Sequence, residues 1–380
     1  ADSWSVVHSV YDALVQYGAE GQLEPLLAES LEQIDPLAWE IRLREGVSFH
    51  NGEPFDARSV AVSVAHIQNP ETGSQVAAEI RLTANPDYFA GSPKGTPLAE
   101  DVRFRVAPEA TTRVADLLSG TAAIVRGVPV DQIPAVEEEA GVVVQPLSGC
   151  AFVRVPTDAT PFDDVRVRQA LNHAIDVDGI VAALLDGQGT RLANLFVEGG
   201  LGWDPDLKPY AYDPERARAL LADAGLAKGF RTRLAYTLAD REDLVTAIAG
   251  QLAEVGIEAA LEPTETATFN ATWTDPESAP LRFVTWRPLF DPYTLLSLLV
   301  SADGYLSRYD NPNAQKAVEA GAAETDPKVR AETYRQLGRT LRDEPAAIYL
   351  WQVTSFYGVA EDAAAWSPRP DDYIIPTRVD

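Results

Sequence analysis

The sequence predicts an α/β fold, and three stretches carry that expectation. Between Arg231 and Leu261, strand, helix and strand follow one another with short connections. Arg231–Leu238 reads as a strand. Asp240–Gly256 reads as a helix with Leu244, Ile248, Leu252 and Val255 turned inward, and Ile257–Leu261 is the returning strand. Such a crossover implies a parallel sheet. The second stretch is Ile41–Val64. Ile41, Leu43, Val47 and Phe49 alternate with polar residues, Asn51-Gly52 supplies a φ > 0 turn, and Asp56 stands before helically spaced Val60, Val64 and Ile67. Third, the middle of the chain is dense in helix punctuation. Asp163 or Asp164 caps 165–175, Asp176 caps a helix ending near Gly187, and Asp213-Pro214 opens one that Gly225 closes.

Other elements follow in order. Val10, Leu14 and Val15 predict a short helix ending near Gly18, and Leu23–Leu31 a loop packed by Leu26 and Leu27. A polar break at 69–73 precedes a strand at 80–85 and a loop at 85–95. Val102–Val106 is a strand, and Thr111–Ser119 a helix with Val114, Leu117 and Leu118 on one face and Gly120 at its C-cap. Phe152–Val155 is a short strand. Leu281–Trp286 is another, followed by Asp291-Pro292 as a cap for 293–300. Helices near 313–323 and 328–343 lead to strands at Ile348–Trp351 and Phe356–Val359.

Composition narrows the function. At 380 residues the chain can hold two or three domains. A net charge of −26 argues against nucleic acid and anionic membrane as partners. No apolar run is long enough to span a bilayer. Residues Ala1 to Tyr11 lack the positive start of a signal peptide, as expected of a mature form. Cys150 is the only cysteine, so no intrachain disulfide forms, and it reads as an inert core residue. The four histidines, 8, 50, 66 and 173, have no ligand-spaced partners. With no G-x-S-x-G, P-loop or G-x-G-x-x-G, neither an enzyme, a cofactor nor a resident metal is expected.

Several blocks stand in a telling order: VYDALVQYGAEGQLEPLLAESL (10–31), the 41–64 unit, the segment 85–120, PFDDVRVRQALNHAIDVDGIV (161–181), YDPERARALLADAGL (212–226) and WRPLFDP (286–292). Together they resemble the peptide/nickel class, family 5, of the extracytoplasmic solute-binding proteins that feed ABC importers. The resemblance implies a two-lobed periplasmic-binding-protein-like fold (type II, cluster C-like), with ligand held in a cleft between lobes. Its expected divisions are 1–155, 156–347 and a returning 348–380. It implies a monomeric receptor outside the cytoplasmic membrane, periplasmic or lipid-anchored. That receptor captures a short peptide or a nickel or other metal–chelate complex and hands it to membrane permease subunits. By the same resemblance Trp286 and Phe290 line the pocket. Tyr11 is a further candidate.

Departures matter too. Peptide-binding members place an Asp three positions after the Trp, where this chain has Leu289. The histidine of the nickel branch has no counterpart in 301–309, and Glu71–Glu79 bridges an interval that usually holds a larger part of one lobe. A degenerate receptor acting as a docking module is the alternative these departures leave. Asp291 reads as a helix cap, and Arg166 and Arg168 as interdomain or local ion-pair partners of Asp163 or Asp164.

Overall fold

The structure is a computed structural model. It describes residues 11–18, 21–35, 38–49, 52–60, 79–83, 96–97, 99, 101–105, 107, 109–287, 289–375 and 377–378. The chain divides into two compact units, residues 1–145 with 355–380, and residues 146–354.

In the first unit, β1 (Val15–Tyr17) pairs antiparallel with β2 (Leu23–Pro25). The helix expected to end near Gly18 is therefore a strand. Three apolar residues are too short a helical nucleus. The carbonyls of Ala13 and Leu14 instead accept from the N–H groups of Leu27, and of Leu26 and Ala28. Leu26 and Leu27 are buried as expected, but they lead into a strand, β3 (Ala28–Asp35), antiparallel to β4 (Ala38–Leu43). The alternating run then breaks. Gly46 adopts φ +76°, and a second tight turn follows, with Phe49 N donating to Glu53 O and Phe55 N to Val47 O. Phe49 is 47% exposed and meets Phe55 edge to face, so it is not a core residue. Asp56 does cap, its Oδ1 accepting from Arg58 N (2.8 Å) and Ser59 N (3.1 Å). The break at 69–73, the interval 71–78 and the loop at 85–95 lie outside the described residues.

Antiparallel β5 (Glu79–Thr83) and β7 (Asp101–Arg105) come next, and β6 (Thr96–Pro97) pairs with β15 (Thr377–Arg378). The helix Ala110–Leu118 buries Val114 and Leu117, while Leu118 is exposed. Gly120 stands just past its C-cap at φ +73°, the left-handed position that stops the helix. β8 (Ile124–Arg126) and the helix Ile133–Glu137 complete this part.

Two long strands pass through the unit boundary. β9 (Gly141–Arg154) is far longer than the four residues read from sequence, because Pro146 and Gly149 interrupt its alternation. β14 (Ala347–Val359) joins what read as two strands. β10 (Thr190–Arg191), β11 (Phe230–Thr237), β12 (Ile257–Thr264) and β13 (Leu281–Trp286) complete the sheet, in the order β10-β14-β9-β13-β11-β12. β8 pairs with Tyr357–Val359 of β14. β11 runs parallel to both β12 and β13, confirming the crossover, and β13 is antiparallel to β9.

Period-2 alternation sends side chains to opposite faces. Ala151, Val153, Leu234 and Leu281 meet the helices Val165–His173 and Glu242–Glu254 on one face. Cys150, Phe152, Ala235 and Val284 meet Tyr293–Leu299, Pro312–Ala323 and Pro327–Asp343 on the other. Cys150 is fully buried, and burial pushes its thiol pKa up, so it is a packing residue. Asp164, Asp176 and Asp213 each cap the helix assigned to them. Arg166 pairs with Asp164 at 2.6 Å. Arg168 does otherwise. Its guanidinium donates to the carbonyls of Pro345, Phe162 and Asp163, a buried position where backbone acceptors take the place of a carboxylate.

Candidate functional site

Parallel strands that end together leave a crevice at their carboxyl ends, a common place for ligands. Here β11 ends at Thr237 and β13 at Trp286, and a cavity of about 350 Å³ opens beside them within the 146–354 unit. Trp286, Phe269, Trp273, Tyr305 and Asp240 are among its lining residues.

The wall is built in layers. Phe269 lies on the short helix Thr266–Ala271, and Trp273 follows one turn later. Their rings meet edge to face, 5.1 Å apart. Arg282 packs behind them, 4.1 Å from the Phe269 ring centroid and 4.8 Å from that of Trp273, a cation–π arrangement. It also donates to the carbonyls of Phe269 and Thr272. Tyr305 closes one side, its hydroxyl donating to Asn270 O.

Trp286 stands opposite Cys150 in the β13–β9 register, and Gly149 makes that approach possible. A Cβ there would lie 2.8 Å from Trp286 O and 2.7 Å from Arg287 Cβ.

Asp240 is the acidic member of the wall. It sits in the turn after β11, and its Oδ2 accepts from Thr237 N (2.8 Å) and Thr237 Oγ1 (2.7 Å). Burial holds its carboxyl pKa above the ordinary value, against the lowering effect of the Thr237 bonds.

The residues singled out from sequence fall in different places. Trp286 is half-buried and lines the cavity. Phe290 is half-buried in the same unit and is not part of the lining. Tyr11 belongs to the other unit and is 68% exposed. Leu289 is core, its N–H donating to Ser148 O at 2.6 Å. Asp291 accepts from Tyr293 N at 2.9 Å, as a cap would, and pairs with Arg330 at 2.6 Å. Asp240, Phe269, Trp273 and Tyr305 went unnoticed in the sequence. A signal existed for three of them: Phe269 and Trp273 are spaced i, i+4, and Thr237-x-x-Asp240 is a side-chain-closed turn.

A smaller cavity of about 170 Å³ lies in the same unit, lined in part by Arg191, Asn194, Asp204 and Lys208. Asp204 is buried and paired with Arg339 at 2.8 Å, and that charged hydrogen bond holds its pKa below the usual value. A depressed carboxylate adds stability above its unfolded pKa and loses it as pH falls through the folded one. Asp204→Asn is expected to lower the urea midpoint at pH 7. The gap to the parent should narrow toward about pH 3, where the unfolded state already holds the proton, and close as the folded state takes it too. An equal gap at both values would contradict this.

The family model of bacterial extracellular solute-binding proteins, family 5 middle, matches residues 22–80 and 74–307. The dipeptide-binding protein of Escherichia coli is 25% identical over 331 residues, covering 84% of this chain and 60% of that protein. Heme-binding protein A of Haemophilus influenzae is 27% identical, over 78% of this chain and 54% of that one. The nickel-binding periplasmic protein of E. coli is 24% identical, over 90% and 83%. The chain thus spans little more than half the length of the first two relatives. Among solved structures, the periplasmic binding protein DppA of Helicobacter pylori in complex with the peptide STSA superposes with a TM-score of 0.83 at 19% identity, covering 98% of this chain and 92% of that one. NikA of Brucella suis in complex with Fe(III)-EDTA does so with 0.83 at 21%, covering 98% and 93%. The fold is that of these binding proteins, and the chain belongs to the bacterial extracellular solute-binding proteins of family 5.

Proposed function

We propose that this protein is the solute-capturing receptor of an ABC importer, and that part of its solute sits in the Trp286 cavity. The observation that carries the site is the cavity itself. It is aromatic, lies at the carboxyl ends of two parallel strands, and contains Trp286. Small-molecule sites are typically concave and apolar with a few placed polar groups, which describes this wall. Family membership supports a binding role over catalysis, delivery to membrane permease subunits, and work as a monomer outside the cytoplasmic membrane. Relatives named for peptides and nickel support a short peptide or a metal–chelate complex as solute. A docking module without a solute has no such support.

A thermal-shift panel tests the reading with short peptides, nickel plus citrate, and sugars. A ligand present at 100 times its Kd stabilises the native state by about 2.7 kcal/mol, easily seen as a rise in Tm. One class is expected to give this rise, and Trp286→Ala to remove it while leaving the unliganded Tm within a few degrees. If no class shifts the parent, or Trp286→Ala responds like the parent, the cavity is not the site.

A further inference from the structure

We infer that Asp240 is the counter-ion for a cationic amine, so that the Trp286 cavity selects solutes carrying an ammonium group. This rests on the cavity reading above and adds the chemistry of what enters it.

Asp240 differs from two other carboxylates of its unit that face a cation. Asp204 pairs with Arg339 and Asp291 with Arg330. Asp240 also lies in partly buried surroundings, yet forms no ion pair with a basic side chain among the described residues. Among the described residues the only hydrogen-bond partner of its carboxylate is Thr237, which occupies Oδ2 and leaves Oδ1 without one. A carboxylate taken partly out of water without a cation is costly, so some compensation is expected. The turn does not need the charge, because an amide oxygen could accept the same two bonds. What surrounds the carboxylate also suits a cation. Trp286, Trp273, Phe269 and Tyr305 line the same cavity, and the faces of such rings attract ammonium and guanidinium groups, most strongly where water is excluded. The raised carboxyl pKa agrees with a site whose charge is incomplete until an amine arrives.

The test compares two pools made from one casein hydrolysate. One keeps its free amines, and the other is exhaustively acetylated. Tm is measured for the parent and for Asp240→Asn, with nickel–citrate and sugar arms alongside. The amine pool is expected to raise the parent Tm and the acetylated pool to leave it unchanged. Asp240→Asn should need about 30-fold more of the amine pool for the same shift, the usual scale for removing one partner of a buried charge pair. Its unliganded Tm should match or exceed the parent's, because the Thr237 bonds survive and a desolvated charge is gone. Equal shifts from both pools, or an undiminished shift in Asp240→Asn, would overturn the inference. A shift with nickel–citrate or sugar but with neither pool would also overturn it while leaving the receptor reading intact. No shift in any arm removes both.

Discussion

Gly229→Ala is expected to destabilise the 146–354 unit by about 4 kcal/mol, the sum of left-handed strain and overpacking. Gly229 has φ +71°, and a Cβ there would fall 1.8 Å from Gly256 O. The two glycines bring the starts of β11 and β12 together, and Phe230 N donates to that same carbonyl at 3.1 Å. The crossover cannot relax without losing the first bonds of its ladder. At about 2–4 °C per kcal/mol for a unit of this size, the melting temperature should fall by about 8–16 °C. Gly225→Ala is the control. It also has positive φ, at +81°, but open space around the added carbon, so it pays only the conformational part, about 1–2 kcal/mol. If the two variants lose equal stability, the close approach is not what Gly229 serves.

The second large effect concerns two buried arginines. Arg154 and Arg282 face each other across β9 and β13, and each is about 1% exposed. Burial pulls both guanidinium pKa values down, to about 9 for Arg154 and about 10 for Arg282. Their surroundings differ. Arg282 donates to Phe269 O, Thr272 O and Ser278 Oγ and stacks on two rings of the cavity wall. Arg154 donates only to Trp273 O, at 3.4 Å, and lies 5.8 Å from the Trp273 ring centroid; among the described residues its Nε and Nη1 have no partner, whereas in Arg282 only Nε lacks one. Opposite outcomes follow. Arg282→Ala strands buried carbonyls and frees the wall, at a cost of about 3 kcal/mol or more. Arg154→Met replaces a poorly satisfied charge with an apolar chain of similar length and should be neutral or stabilising, by up to about 3 kcal/mol. Urea unfolding of the two variants decides the matter, and a loss in Arg154→Met as large as that in Arg282→Ala would refute the distinction.

What the sequence shows well is what short-range chemistry enforces. The Asp-Pro pair at 213–214 can satisfy helix N–H groups on its own, so the helix that begins there announces itself. Leu244, Ile248 and Leu252 name the buried face of their helix without help. The strands β9 and β14 are less legible. Their pairing comes from partners far along the chain, which overrides the local interruptions at Pro146 and Gly149. Arg168 reads as an ion-pair partner of its neighbours because the Pro345 carbonyl that accepts from it lies far along the chain. Trp286 stands out only through the family resemblance, whereas Asp240 reads as the first residue of a helix that in the structure begins at Glu242. Its role depends on missing basic neighbours, and no local pattern records what is absent from a three-dimensional surrounding.

The passage of β9 and β14 through the unit boundary carries a consequence for biosynthesis. Residues 146–354 are continuous, so the ribosome delivers that unit complete before the other can be finished. β8 must wait for Tyr357–Val359, more than 200 residues later, to gain its antiparallel neighbour. Until then β8 presents an unpaired edge, a surface on which misassembly during synthesis would begin.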